Sequence, residues 1–162
     1  MAPSSDLPPP VPVTAPVVSD PGAASLYQDI ILSHYRAPQH KGVLTSPTAT
    51  IEHRNPLCGD VLTVQVQRDG DRIVAAAFAA RACSITQATA SMLLHRVIGG
   101  TVSDATAVLS QIEQLLDGAT PVSETECPSL GDLRALASVT RFPARKACVR
   151  LVTGAIAEAI AD

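Results

Sequence analysis

At 162 residues the chain is long enough for one domain with a sizeable core. Its formal charge of −3, without any run of Lys or Arg, excludes an electrostatic grip on nucleic acid, and no apolar stretch approaches the roughly 20 residues of a membrane span. Four cysteines in a domain of this size do not make a secreted disulfide framework, so a reducing cytoplasm is the expected compartment.

Residues 1–22 form a separate regime, dense in Pro and without Lys or Arg. They lack the positive region and unbroken apolar run of a signal peptide and read as a solvated, disordered tail. The expected domain is 23–162. Leu26, Tyr27, Ile30, Ile31 and His34 share one face of a helix that begins near Ser25 and stops before Pro38. Thr48 to Arg54 suits an opening strand. Val61 to Gln67 alternates strictly, with Leu62, Val64 and Val66 on one face, the mark of a half-buried strand. Arg68-Asp69-Gly70-Asp71-Arg72 is turn chemistry, and Ile73 to Ala80 returns as the next strand.

Ser84 with Gln87 reads as a capping box that opens a helix running to Gly99-Gly100. A second helix is expected over Ser103 to Asp117, with Leu109, Ile112 and Leu116 inward and Gly118 as its stop. Ser129 to Ala137 predicts a short helix, and Pro143 opens a last one ending near Ala161. On that helix Cys148, Val152, Ala155, Ile156 and Ala159 form one apolar stripe. Strands early and helices late predict an α+β domain, a small antiparallel sheet of about three strands covered by helices.

Three cysteines lie where a metal site could draw on them. In a hairpin centred on Gly70 the start of the first strand faces the end of the second, so Cys58 and Cys83 reach the same edge. Asp60, two residues past Cys58, offers an oxygen there, and Cys148 points inward from the start of the last helix. Three thiolates and a carboxylate suit zinc or an iron–sulfur cluster. Cys83, just outside a helix N-terminus, is favoured as thiolate by the macrodipole. Such a shell carries charge −4, so Zn²⁺ leaves −2, and Arg145 and Lys146 are the cations placed to offset it. Cys127, between Glu126 and Pro128, reads as an incidental thiol. His34, His40 and His95 read as surface or packing residues, and only His53 is near enough in sequence to a ligand motif to merit a metal test.

The motifs resemble the SufU-type proteins within the IscU and NifU N-terminal scaffold group of iron–sulfur assembly. Leu26-Tyr27, His34-Tyr35, Lys41-Gly42-Val43-Leu44, Asn55-Pro56-Leu57-Cys58-Gly59-Asp60, Cys83-Ser84-Ile85, Gly131-Asp132-Leu133 and Phe142-Pro143-Ala144-Arg145-Lys146-Ala147-Cys148 carry the likeness in that order. The resemblance implies a SufE/NifU-like fold, zinc held by Cys58, Asp60, Cys83 and Cys148, and Cys58 as the sulfur acceptor. It implies a pyridoxal-phosphate cysteine desulfurase of the SufS type as partner, with downstream iron–sulfur assembly proteins beyond it. The chain departs from the IscU branch at Ala147, where that branch has histidine, and this favours zinc. The function so implied is zinc-dependent sulfur acceptance. The alternatives are a scaffold that assembles a [2Fe–2S] cluster on the same residues and a zinc-stapled structural or binding module.

Overall fold

The computed structural model describes residues 21–57, 59–118 and 128–161. Most of the Pro-rich stretch, Cys58 and Cys127 therefore lie outside the described residues. The elements run α1 (Pro21–Arg36), β1 (Ala49–Asn55), β2 (Asp60–Asp69), β3 (Arg72–Arg81), α2 (Ser84–Val97), α3 (Val102–Leu116), a 3₁₀ segment over Pro128–Val139, and α4 (Pro143–Ala161). The sheet is antiparallel in the order β1-β2-β3. α4 lies against β1 and β2, while α1 packs on α2 and the 3₁₀ segment. This is the α+β arrangement that the patterning predicts. Among the described residues no helix is long and apolar enough to cross a membrane.

Two hairpins follow directly from local chemistry. Gly70, at φ 63°, takes the left-handed conformation that lets β2 turn into β3. Leu62, Val64 and Val66 then face the core at 0% exposure while their neighbours stay partly open. Between β1 and β2 a second tight turn is closed by Gly59 N–H donating to Asn55 O at 2.8 Å, with Gly59 at φ 75°. The pairing places Asn55 opposite Asp60 and Val61 opposite Arg81. The β1–β2 turn, the first residue of β2 and the exit from β3 thus share one edge.

α4 covers this sheet with Val152, Ala155, Ile156 and Ala159, all fully buried. Their mostly small side chains allow close approach. Gly154 adds to it, since a Cβ there would lie 3.3 Å from His53 Cε1.

Four details differ from the sequence expectation. α1 starts at Pro21, because proline fits the first turn of a helix where its missing N–H is not needed. Leu26 is 53% exposed, the buried face of α1 being Tyr27, Ile31 and His34 at the i, i+4, i+7 spacing. The N-cap of α2 is Cys83 rather than Ser84, and Gln87 reaches back to donate to Ala82 O at 2.8 Å. The stretch Pro128–Val139 winds as 3₁₀ on either side of a kink at Gly131, which sits at φ 54° and ψ −128°.

Because Ile156 is fully buried in the cluster that joins α4 to the sheet, Ile156→Ala is expected to cost about 2–5 kcal/mol in urea unfolding.

Candidate metal centre

Each donor is delivered by a different element. Asp60 is the first residue of β2, Cys83 the N-cap of α2, and Cys148 lies in the second turn of α4. One ligand atom from each lies within 4.8 Å of the other two. Cys83 Sγ is 3.4 Å from Cys148 Sγ, and Cys148 Sγ is 3.9 Å from Asp60 Oδ2. Asp60 and Cys148 are buried, at 6% and 7% exposure, whereas Cys83 opens to solvent. Cys83 makes no side-chain cap hydrogen bond to the backbone of α2, and its sulfur lies instead against Cys148 and the Thr86 hydroxyl.

The spacing can be tested against a single ion. Bond lengths of about 2.3 Å to sulfur and 2.0–2.2 Å to carboxylate oxygen give tetrahedral edges of about 3.8 Å between sulfurs and about 3.6 Å between sulfur and oxygen. The observed 3.4 and 3.9 Å fall on either side of these values. Two thiols and a carboxylate fit zinc chemically, and one more donor would close the shell. Cys58 lies outside the described residues. Asn55 and Leu57 line the cleft onto which Cys83 and Cys148 open.

A residue that sequence reasoning missed holds the centre together. Thr86 is fully buried, its hydroxyl donates to Asp60 Oδ2 at 3.0 Å, and it stands 3.5 Å from Cys83 Sγ. In sequence it is only a polar residue one turn past Cys83, and its role shows once Asp60 lies beside it. The electrostatics show what the cluster lacks. Burial first, then contact with Cys83, then the charges of Cys83 and Asp60 push the Cys148 thiol up to about 12, while the Thr86 hydroxyl acts in the opposite direction. Three acids crowded together hold a proton that a bound cation would displace.

The cleft beside the centre has a volume of about 780 Å³ and is walled by Ile31 and Leu32 of α1, Val139 of the 3₁₀ segment, and Phe142 and Arg145 at the start of α4. Leu57 is 93% exposed. The guanidinium carbons of Arg145 and Arg141 lie 5.0 and 5.2 Å from the Phe142 ring centroid, a cation–π pairing on one wall. Lys146 instead reaches Leu116 O at 3.4 Å, at the end of α3.

The histidines go elsewhere. His53 is paired with Glu158 at 2.7 Å and takes no part in the donor cluster. His40 stacks on His95, and burial together with His95 lowers its pKa. His34 is buried between Ser91 and Asp132.

Thr86→Val should weaken metal affinity about 10- to 100-fold in competition with a chromophoric chelator, as loss of a group that orients a ligand does. The folded Cys148 pKa is raised above its ordinary 9.0. Its contribution to the stability of metal-free protein is therefore complete below about pH 9 and is lost as pH rises toward 12. Denaturant unfolding of chelator-treated protein should show that decline, and Cys148→Ser should flatten it.

Residues 26–149 match the family model described as NifU-like N terminal domain. The chain is 32% identical over 137 residues to the zinc-dependent sulfurtransferase SufU of Bacillus subtilis (strain 168), covering 85% of this chain and 90% of that protein. It is 35% identical over 135 residues to the iron–sulfur cluster assembly scaffold protein IscU of Streptococcus pyogenes serotype M1, covering 83% and 82%. Its fold matches the crystal structure of a nitrogen-fixing NifU-like protein (N-terminal) from Brucella abortus with a TM-score of 0.74 at 26% identity, over 83% of this chain and 92% of that one.

Proposed function

The chain belongs to the NifU-like N-terminal domain family, and we propose that within iron–sulfur cluster assembly it is a zinc-dependent acceptor of persulfide sulfur. The observation that supports zinc over a cluster is the tightness of the donor group. Three donor atoms mutually within 4.8 Å suit one ion. A two-iron cluster divides its ligands between two irons and needs at least one donor farther across. The relative named as a sulfurtransferase is also named as zinc-dependent.

Asp60, Cys83 and Cys148, with Cys58 as the fourth donor, are the residues assigned to hold the ion. Zinc bound there would keep its cysteines as thiolates at neutral pH. The acceptor is Cys58, which follows the exposed Leu57 in sequence. The sulfur comes from a pyridoxal-phosphate cysteine desulfurase of the SufS type that carries a persulfide on its own cysteine. A donor group from the desulfurase would take the place of Cys58 in the shell, and the freed Cys58 thiolate attacks the outer persulfide sulfur and forms a new S–S bond. The bond to the partner's cysteine breaks, and its electron pair stays on that cysteine as thiolate. Cys58 is left as the persulfide, ready to pass sulfur to a downstream assembly protein.

The remaining residues position this exchange. Thr86 fixes Asp60 through its hydrogen bond. Arg145, on the wall of the same cleft as Cys83 and Cys148, supplies positive charge toward an anionic persulfide and an anionic centre. The cleft gives the partner's cysteine-bearing segment a route to the donors.

Metal analysis and a desulfurase assay test this together. The purified chain should be colourless, contain about one zinc per chain, and stimulate the desulfurase, and Cys58→Ala should abolish that stimulation. Brown protein with iron and acid-labile sulfide in place of zinc would transfer the assignment to the cluster scaffold, the activity named for the Streptococcus pyogenes relative. Full stimulation by Cys58→Ala would reduce the centre to a structural staple.

A further inference from the structure

We propose that His34 and Asp132 are positioning residues for the cleft, holding its α1 wall and its 3₁₀ wall at a set separation for the partner segment. The proposal rests on the sulfur-acceptor reading above. Its basis is a buried polar relay that the metal centre does not use. His34, 8% exposed, places Nδ1 2.8 Å from Ser91 Oγ and Nε2 3.0 Å from Asp132 Oδ2, and Gln39 N–H donates to the same Ser91 oxygen at 2.8 Å.

The polarity of the relay is dictated by its ends. A carboxylate only accepts, so Nε2 carries a proton and donates to Asp132, while Nδ1 and the Ser91 hydroxyl share the second hydrogen bond. The order Ser–His–Asp matches that of a hydrolase triad. Ser91, however, has no exposed surface, and its oxygen is already occupied by a backbone N–H. It has no access to a substrate, and nucleophilic chemistry is excluded.

What the relay does is join three elements in one hydrogen-bonded line, α2 through Ser91, α1 through His34 and the 3₁₀ segment through Asp132. All three elements line the cleft, α2 through Ser84 and Ile85 at its start. Ile31, one turn before His34, lines the cleft from α1, and Val139, seven residues past Asp132, lines it from the 3₁₀ segment. Gly131 turns the chain at φ 54° immediately before Asp132, a conformation disfavoured for other residues. Both walls also give apolar side chains to one core, Tyr27 and Ile31 from α1 and Leu133 and Leu136 from the 3₁₀ segment, and apolar contact is non-directional. It drives the surfaces together without setting how far one may slide along the other. A hydrogen bond with a narrow range of length and angle sets that distance.

The exposure of the Asp132 side chain, 59%, makes the idea separable from folding. Replacing it leaves a His34 N–H that water can reach, so the fold and the metal centre should survive. Loosened walls would lower the fraction of molecules with a partner-ready cleft and weaken apparent affinity by that fraction.

Asp132→Ala and Asp132→Asn are assayed as full chains loaded with zinc. Asp132→Ala should raise the desulfurase concentration for half-maximal stimulation roughly two- to tenfold, the range of one net hydrogen bond. Its rate at saturation and its zinc content should stay at wild-type values. Asp132→Asn keeps an accepting oxygen and should stay within about twofold of wild type. Amide hydrogen exchange over residues 132–139 should quicken in Asp132→Ala and not in Asp132→Asn. Unchanged half-saturation or unchanged exchange in Asp132→Ala overturns the proposal, and so does a parallel fall in zinc content. Failure of the sulfur-acceptor reading is distinguished by the wild-type chain, which would then not stimulate the desulfurase at all.

Discussion

The register of the β2–β3 hairpin is the constraint on which the rest depends. With Val61 opposite Arg81, the first residue of β2 and the first residue of the turn into α2 come to one end of the sheet. A slip of one residue would send Leu62, Val64 and Val66 to the wrong face and carry Asp60 away from Cys83. The donors thus inherit their positions from the burial of three aliphatic side chains. α4 then brings Cys148 to the same place as the end of its own buried stripe, so the core and the centre are parts of one packing solution.

That solution sets two demands in opposition. The core side wants Asp60 and Cys148 dry, and a dry cluster of acids is costly unless it is neutralised or bonded. Thr86 answers part of the demand for Asp60 through a hydroxyl that is itself fully buried. Cys148 answers by remaining a thiol where no cation is present. Cys83 stays open to solvent, so the centre is sealed on the core side and accessible on the cleft side. A partner approaching through the cleft meets sulfur before it meets the carboxylate.

Much of this was legible in the sequence. The alternation from Leu62 to Val66, the Gly70 turn and the stripe from Cys148 to Ala159 each carry a strong period, and each became the expected element. The convergence of Asp60, Cys83 and Cys148 follows from hairpin logic together with the position of Cys148 on its helix. What was not legible depends on contacts distant in sequence. Thr86 looks like any polar residue of a first helical turn until Asp60 is placed beside it. His34 reads as a packing residue until Asp132, 98 positions away, closes on it. The cap of α2 was placed one residue late because Ser84 is the better capping side chain by propensity, whereas the structure uses Cys83. The expected short helix is 3₁₀ on either side of the left-handed kink at Gly131.

The use of Cys83 at that helix start has a consequence for any effort to make the molecule sturdier. Serine at an N-cap satisfies an orphan amide of the first turn, a gain of about 1 kcal/mol over a residue that does not. Here the side chain at that position is withheld from the backbone. Screening for thermal tolerance alone would therefore reward Cys83→Ser while removing one of the three clustered donors. The beginning of α2 is left weaker than chemistry permits, at the position that gives its sulfur to the donor cluster.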